Sequence, residues 1–207
     1  MSGVQLPGPI CAFLDALEID AGTMCRSASP IPGPHGATAI KPSHAKKKDI
    51  SLDDARLIVA EAATWKGTPY SLVGEGSVKG TRGDCSGTTQ KIYKVAKCPY
   101  RYQTSHEFPA YARKSGLFRE LRAGEAKQDG DILSWSSHMA IYSSFATDSE
   151  NATTERTNKQ GHTWTQTNDM WTASHPARNA DDEPPPYSPA EMRWWKLGTP
   201  RVFRYLK

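Results

Sequence analysis

The stretch Gly83-Asp84-Cys85-Ser86-Gly87 places a cysteine, the most nucleophilic side chain type, between small residues. Three apolar residues follow at helical spacing: Ile92, Val95 and Ala96. This pattern predicts a helix that begins near Cys85, where backbone N–H groups and the helix dipole are expected to lower the thiol pKa. Because the thiolate is the attacking form, the stretch predicts a nucleophile, with Ser86 and Gly87 leaving room for a substrate carbonyl. A small buried cysteine without chemistry is the alternative.

Thiol chemistry also needs a base that takes the proton and later gives it to the leaving amine. Histidine suits this role because its pKa lies near neutrality. The chain has six histidines: His35, His44, His106, His138, His162 and His175. His138 follows a tight turn at the head of an apolar strand pattern, so the pattern favours it as the base. His106 lies near a polar helix start, and we expect it to be solvated.

Local patterns predict the helices that must position these residues. Residues 51–54 (S-L-D-D) form a capping-box-like start, and the apolar spacing after them predicts a helix over residues 52–66. A glycine-rich loop, interpreted as a flexible approach, then leads to Cys85. A further helix is predicted over residues 104–115, ended by Gly116, with Pro109 tolerated only in the first turn.

Strand patterns dominate the second half of the chain. Residues 130–135 and 138–142 predict two strands joined by a short Ser-Ser turn. Other segments are predicted as loops at residues 145–161 and 181–189, and as strands at residues 163–174 and 201–206. Helices followed by antiparallel strands predict an α+β fold.

Composition limits the organisation and the partners of the protein. With 207 residues, the chain predicts one catalytic domain over residues 51–207 and a Pro/Gly-rich leader or appendage over residues 1–50. The net charge of +4 suits an anionic polymer such as a cell wall and is too small to indicate nucleic acid. No apolar run approaches the roughly 18 residues of a membrane span, and we expect no cleavable secretion signal. The cysteine spacing predicts no zinc site, and a Cys11–Cys25 disulfide stays open.

Four motifs stand in order along the chain: Trp65-Lys66-Gly67-Thr68-Pro69-Tyr70, Asp84-Cys85-Ser86-Gly87, Gly130-Asp131-Ile132-Leu133 and His138-Met139-Ala140-Ile141-Tyr142. Together they resemble the successive motifs of NlpC-type cell-wall peptidases, which are papain-like enzymes, over about residues 51–175. The resemblance implies a papain-like α+β fold, with helices and a nucleophile at a helix start packed on an antiparallel sheet. It implies Cys85 as nucleophile, His138 as base and a site lined by Tyr70, Asp84 and Ser86, with no metal and no cofactor.

The third catalytic residue is where the chain departs from this family. The family places a polar residue, often histidine, on the strand after the base, where it orients the imidazole. The matching stretch here is Met170-Trp171-Thr172-Ala173-Ser174-His175. Strict register puts Thr172 at that position, whereas His175 could serve if the strand bulges or ends early. We favour His175 over Thr172, His162 and Asn168.

The resemblance implies a cysteine peptidase or amidase that hydrolyses peptidoglycan stem peptides, typically between D-glutamate and diaminopimelate, although the motifs do not fix the bond. A wall hydrolase with a separate leader and no signal sequence indicates an antibacterial toxin. It would be made in the cytoplasm and delivered by a contractile, type VI secretion system to the periplasm of a rival. Its expected partners are peptidoglycan, a cognate immunity protein and the secretion apparatus, with neither nucleic acid nor membrane insertion.

Two different functions stay open beside this one. The first is a phage-type endolysin with the same chemistry. The second is a non-catalytic module that binds wall fragments or a protein partner through exposed aromatic residues. The aromatic residues concerned are Trp171, Tyr187, Trp194 and Trp195. Ordinary core packing is the competing interpretation of these four side chains.

Overall fold

The computed structural model describes residues 47–158, 160–173, 186–192 and 197–207. Within these ranges the chain is an α+β protein of three α-helices and two antiparallel sheets. The helices are α1 (Leu52–Ala63), α2 (Cys85–Val95) and α3 (Phe108–Ser115), with a one-turn 3-10 helix at Gly74–Gly76. The strands are β1 (Phe118–Glu120), β2 (Ile132–Ser134), β3 (Met139–Tyr142), β4 (Thr153–Thr157), β5 (Thr163–Thr167), β6 (Met170–Thr172), β7 (Ser188–Ala190) and β8 (Arg201–Tyr205).

Several sequence predictions concern residues outside the described ranges. They involve most of the 1–50 leader, the cysteines Cys11 and Cys25, the histidines His35, His44 and His175, and the tryptophans Trp194 and Trp195. The last part of the predicted leader is described. There Lys48 and Ile50 exchange backbone hydrogen bonds with the end of β8 and with Lys207, and Ile50 is buried.

Helix α1 confirms the predicted start. The Ser51 hydroxyl accepts a hydrogen bond from the Asp54 N–H at 3.1 Å, which caps the helix. Three side chains of one face are buried: Ala55, Ile58 and Ala62. The helix ends at Ala63 rather than at residue 66, because the chain continues through turns to Gly67, whose φ of 84° lies in the left-handed region.

Helix α3 confirms the predicted end and corrects the predicted beginning. Gly116 follows the helix with φ 63°, the left-handed conformation of a common helix C-terminus. Pro109 falls in the first turn, as its missing N–H requires. The helix therefore begins at Phe108, and residues 104–107 form a turn in which Glu107 hydrogen-bonds Thr104.

The main sheet has six strands in the order β1-β8-β2-β3-β6-β7, and each neighbouring pair is antiparallel. Strands β2 and β3 form the predicted hairpin, with Ile132 opposite Ile141. The turn closes where the Trp135 N–H donates to the His138 carbonyl at 2.9 Å. His138 thus lies immediately before β3, at the end of the hairpin that faces the start of α2.

Two predicted loops and one predicted strand were wrong in part, and one strand was missed. The predicted loop over residues 145–161 contains β4, which pairs with β5 as a separate two-stranded ribbon. The predicted strand over residues 163–174 is divided into β5 and β6, because the Asn168 amide between them donates to the Asn151 carbonyl and the Thr154 hydroxyl. The predicted loop over residues 181–189 includes the start of β7, and β1 was not predicted.

The core lies between the helices and the main sheet. One group of aromatic core residues consists of Tyr93, Tyr100, Phe108, Phe118, Phe203 and Tyr205. Phe118 packs edge-to-face on Tyr205, with ring centroids 5.1 Å apart, and on Phe108 at 5.2 Å. Tyr93 of α2 packs on Phe118 and Tyr205, with ring centroids 6.2 Å and 6.0 Å apart, so the helix that begins with Cys85 is fixed to the sheet. Among the described residues, no helix has the length and apolar character needed to cross a membrane.

Candidate active site

Cys85 is the first residue of α2, as the sequence predicts, and Asp84 is the residue that caps the helix. One oxygen of the Asp84 carboxylate accepts from the Gly87 N–H at 2.8 Å and from the Ser86 hydroxyl at 3.0 Å. The second oxygen accepts from the backbone N–H groups of Val73 and Gly74. The carboxylate therefore ties the start of α2 to the loop that precedes it.

Gly87 is a glycine for packing reasons. A Cβ atom on Gly87 would overlap the Gly74 carbonyl oxygen and the Ser77 hydroxyl. The interpretation that Gly87 leaves room for a substrate carbonyl is therefore wrong, because the Gly74–Gly76 turn occupies that space. The glycine-rich loop is accordingly packed on α2 and bonded to Asp84, which contradicts its interpretation as a flexible approach.

The Cys85 thiol is 8% exposed, and its environment disfavours ionisation. Burial raises the pKa of Cys85 to about 11, and the negative charge of Asp84 acts in the same direction. The backbone N–H groups of Met139, Ser86 and Cys85 itself hydrogen-bond the sulfur and act against this rise. The predicted lowering of the thiol pKa was wrong as a net effect, because burial outweighs the hydrogen bonds of the helix start.

Helix α2 packs against β3, where the Met139 N–H acts to lower the pKa of the Cys85 thiol. His138 is the residue before Met139, so the predicted base stands next to the backbone group that acts on the predicted nucleophile. The imidazole is 2% exposed, and its ring centroid lies 5.8 Å from that of Trp135. Cys85 and His138, which are 53 positions apart in the sequence, therefore lie in the same buried region.

The imidazole contacts Thr172 on the neighbouring strand. The distance from His138 Nε2 to the Thr172 hydroxyl oxygen is 2.6 Å. Two more candidates for the third residue lie away from the imidazole: His162 is exposed in the turn of the β4–β5 ribbon, and the Asn168 amide is bonded within that region. The role predicted for His175 falls outside the described residues and stays a prediction.

The three residues expected to line the site surround the cysteine in different ways. Burial raises the pKa of Tyr70 to about 12, and the Cys85 and Asp84 charges add to the rise, so this phenol lies within electrostatic reach of the thiol. Ser86 is buried, and its hydroxyl is bonded to Asp84 and lies 3.3 Å from the Tyr102 hydroxyl. Tyr102 was missed by the sequence analysis because it lies in a polar connector without a motif.

Two of the four aromatic residues expected on the surface of a binding module are not exposed. Trp171 and Tyr187 are buried and stack on each other, with ring centroids 6.0 Å apart and planes 4° from parallel. Both belong to the core. In the part of the chain that the structure describes, no three His, Cys, Asp or Glu side chains group closely enough to hold a metal ion.

Comparison of the chain with models of known protein families gives no match, and comparison with curated proteins gives no significant match. The function is therefore inferred from the residues of this chain.

The environment of Cys85 predicts an unusual pH dependence of thiol alkylation. Because only the thiolate reacts, we expect the rate of iodoacetamide labelling at Cys85 to be still rising at about pH 10. Peptide mass spectrometry would follow Cys85 separately from the remaining cysteines. In the urea-unfolded chain, the matched control, the rate should level off near the ordinary cysteine pKa of about 8.5. A plateau in the folded protein below about pH 7 would contradict this description of the thiol.

Proposed function

We propose that this chain is a cysteine hydrolase with an NlpC-type, papain-like fold, which cuts amide bonds in the stem peptides of bacterial peptidoglycan. The observation that carries the proposal is the position of Met139, the residue after His138, whose backbone N–H acts to lower the pKa of the Cys85 thiol at the start of α2. A nucleophile at a helix start and a base at the head of an antiparallel strand is the arrangement that the sequence resemblance implies.

The reaction would begin with Cys85, whose sulfur attacks the carbonyl carbon of the substrate amide. His138 takes the thiol proton and gives it to the leaving amine, so that the C–N bond breaks and a thioester remains. Water then attacks the thioester, with His138 as base, and releases the carboxylic acid and the thiol. Because the resting thiol is protonated, proton transfer to His138 would accompany the attack.

The negative oxygen formed during attack needs hydrogen-bond donors. The backbone N–H of Cys85 belongs to the first residue of α2, so it has no acceptor within the helix. The Tyr70 phenol lies within electrostatic reach of the thiol, and burial raises the pKa of this phenol to about 12. We assign these two groups to the oxyanion. Asp84 and Ser86 act mainly by holding the helix start, since their polar groups are bonded to the protein.

The buried thiol also favours a second candidate, a non-catalytic module on the same fold. In such a module Cys85 would be a packing residue, as its 8% exposure and raised pKa allow. The partly buried Tyr102 and the exposed Leu72 would then form part of a binding surface near the start of α2. A measurement of amide hydrolysis distinguishes the hydrolase from the non-catalytic module.

Digestion of purified peptidoglycan sacculi tests the hydrolase. Wild-type protein should release peptide fragments that mass spectrometry assigns to one cleaved amide bond. Cys85→Ala should lose at least about a thousandfold in rate, because it removes the nucleophile. Cys98→Ala is the matched control, since it removes a buried cysteine outside the site and should retain activity. Fragment release by Cys85→Ala equal to that of wild type would exclude Cys85 as the nucleophile.

We further propose that the hydrolase is an antibacterial toxin that acts in the periplasm of a rival cell and is neutralised by a cognate immunity protein. Peptidoglycan lies in the periplasm, and the net charge of +4 suits an anionic polymer. A secretion apparatus would deliver the protein.

Targeted expression tests the site of action. Protein directed to the periplasm of a bacterium should lyse the cells, whereas the same protein kept in the cytoplasm should be harmless. Cys85→Ala in the periplasm is the control and should also be harmless. Equal harmlessness of the wild-type protein in both compartments, at matched amounts, would count against the toxin.

A further inference from the structure

Four exposed lysines belong to two segments that meet at the C-terminal end of α2. Lys94 lies in the last turn of this helix, and Lys97 follows it. Lys48 and Lys207 lie beside the end of β8, where their backbones exchange hydrogen bonds of 2.8 and 2.9 Å. We call these residues, which are Lys48, Lys94, Lys97 and Lys207, the lysine surface.

Two interactions bring the segments together. The Tyr205 hydroxyl of β8 donates to the Pro99 carbonyl at 2.9 Å. Burial raises the pKa of the Cys98 thiol, and the charge of Lys207 acts against this rise. The Lys207 ammonium therefore lies within electrostatic reach of the residue that follows Lys97. The positive charges of both segments can accordingly act on one partner.

The acidic residues close to the lysine surface are already paired. Lys207 is bonded to Asp54, and Asp49, the neighbour of Lys48 in the sequence, is bonded to Arg119. Within the described ranges, the remaining three lysines form no ion pair with a carboxylate. The surface therefore keeps a net positive charge that an anionic partner can neutralise.

The backbone of Lys97 indicates that its side chain has a role beyond packing. Its φ of 60° is left-handed, which is costly for a residue with a Cβ. Helix α2 ends there in a Schellman motif: the Cys98 N–H donates to the Tyr93 carbonyl at 2.9 Å, and the Lys97 N–H donates to the Lys94 carbonyl at 3.3 Å. Glycine is the usual residue at this position. A lysine held there despite the cost favours a functional side chain.

Interaction with the helix dipole does not explain this lysine. A positive charge near the C-terminus of a helix is favourable, and Lys94 provides one from within the last turn of α2. That interaction needs no left-handed residue. The charge of Lys97 is therefore available to a partner outside the protein.

We propose that the lysine surface binds the free carboxylates of peptidoglycan stem peptides and so holds the polymer close to Cys85. This proposal rests on the proposed hydrolase function. Lysine suits such a partner because its ammonium is a compact charge on a flexible stem. Lys94 follows Cys85 by nine positions on α2, which corresponds to about 14 Å along the helix axis. Because peptidoglycan repeats its stem peptides, one unit can lie on the lysine surface while another reaches the thiol.

Sedimentation with purified sacculi tests the surface without any need for hydrolysis. In Cys85→Ala protein, Lys94→Gln together with Lys97→Gln should weaken binding by about 3- to 30-fold at low salt, and about 1 M salt should abolish the difference. Sacculi whose carboxylates have been converted to amides should not retain the protein. Arg122→Gln together with Lys127→Gln is the matched control, because it removes the same charge from exposed residues outside the lysine surface and should not weaken binding.

Lys97→Gly separates binding from folding. Glycine adopts the left-handed conformation without a Cβ penalty, so we expect Tm to rise by about 2–4 °C. Binding to sacculi should nevertheless weaken by about 2- to 5-fold, because one charge is lost. A rise in Tm with unchanged binding would show that the Lys97 side chain does not contact the polymer.

Four results would overturn the proposal. They are equal binding by the parent and the Lys94→Gln/Lys97→Gln protein, an equal loss in the Arg122→Gln/Lys127→Gln control, undiminished binding to amidated sacculi, and no binding of the parent to sacculi. The second would assign binding to net charge alone, and the last would leave an acidic protein as the partner to test.

Hydrolysis of a small soluble stem peptide is measured separately, in protein that retains Cys85. The lysine substitutions should leave this rate unchanged and should slow the digestion of sacculi at low salt. A lysine variant that digests sacculi at the wild-type rate would contradict a contribution of the surface to catalysis on the polymer. If the wild-type protein does not hydrolyse the soluble peptide, the proposed function fails, whereas sedimentation still decides on the lysine surface.

Discussion

The geometry of the site depends on the buried carboxylate of Asp84. This group is 4% exposed, and a charge removed from water is stable only when hydrogen bonds replace its hydration. Two donors come from the first turn of α2, and two come from Val73 and Gly74 in the preceding loop. Because one group satisfies both segments, the loop cannot move away without exposing unpaired donors and an unpaired charge.

This arrangement has an electrostatic consequence for the neighbouring thiol. Asp84 fixes Cys85 at the first position of α2, yet its negative charge, together with burial, raises the pKa of the sulfur that it positions. If Cys85 acts as the proposed nucleophile, its reaction would therefore begin from a neutral thiol, unlike that of a cysteine enzyme that keeps a resting thiolate. The orientation of His138 then becomes decisive, because the base must accept the proton as the sulfur attacks. The bond to Thr172 provides an orientation of this kind.

The sequence predicted the parts of the fold that depend on local pattern. The cap at Ser51, the helix that begins with Cys85, the hairpin before His138 and the helix end at Gly116 all follow from residues a few positions apart. Register with the family's motif put Thr172 on the strand after the base, and Thr172 is the last residue of β6, which pairs with β3.

The features that the sequence did not predict depend on distant partners. Strand β4 alternates exposed and half-buried polar residues, so it has no apolar pattern, and its pairing with β5 defines it. Gly87 was interpreted by its small size, whereas the packing of Gly74 against it explains the glycine. The sign of the Cys85 pKa shift was wrong because burial by the sheet cannot be inferred from the pentapeptide around the cysteine.

The central claim is that the loop packed on α2 positions the nucleophile, and a pair of glycine substitutions tests it most directly. Gly87→Ala introduces a methyl group that would overlap the Gly74 carbonyl, whereas a Cβ on Gly76 meets only the Val73 side chain at an ordinary 3.7 Å. Thermal unfolding and peptide release from sacculi would be measured for both variants. We expect Gly87→Ala to lose about 1–3 kcal/mol or more of stability together with hydrolysis, and Gly76→Ala to stay close to wild type. Wild-type stability and activity in Gly87→Ala would contradict it.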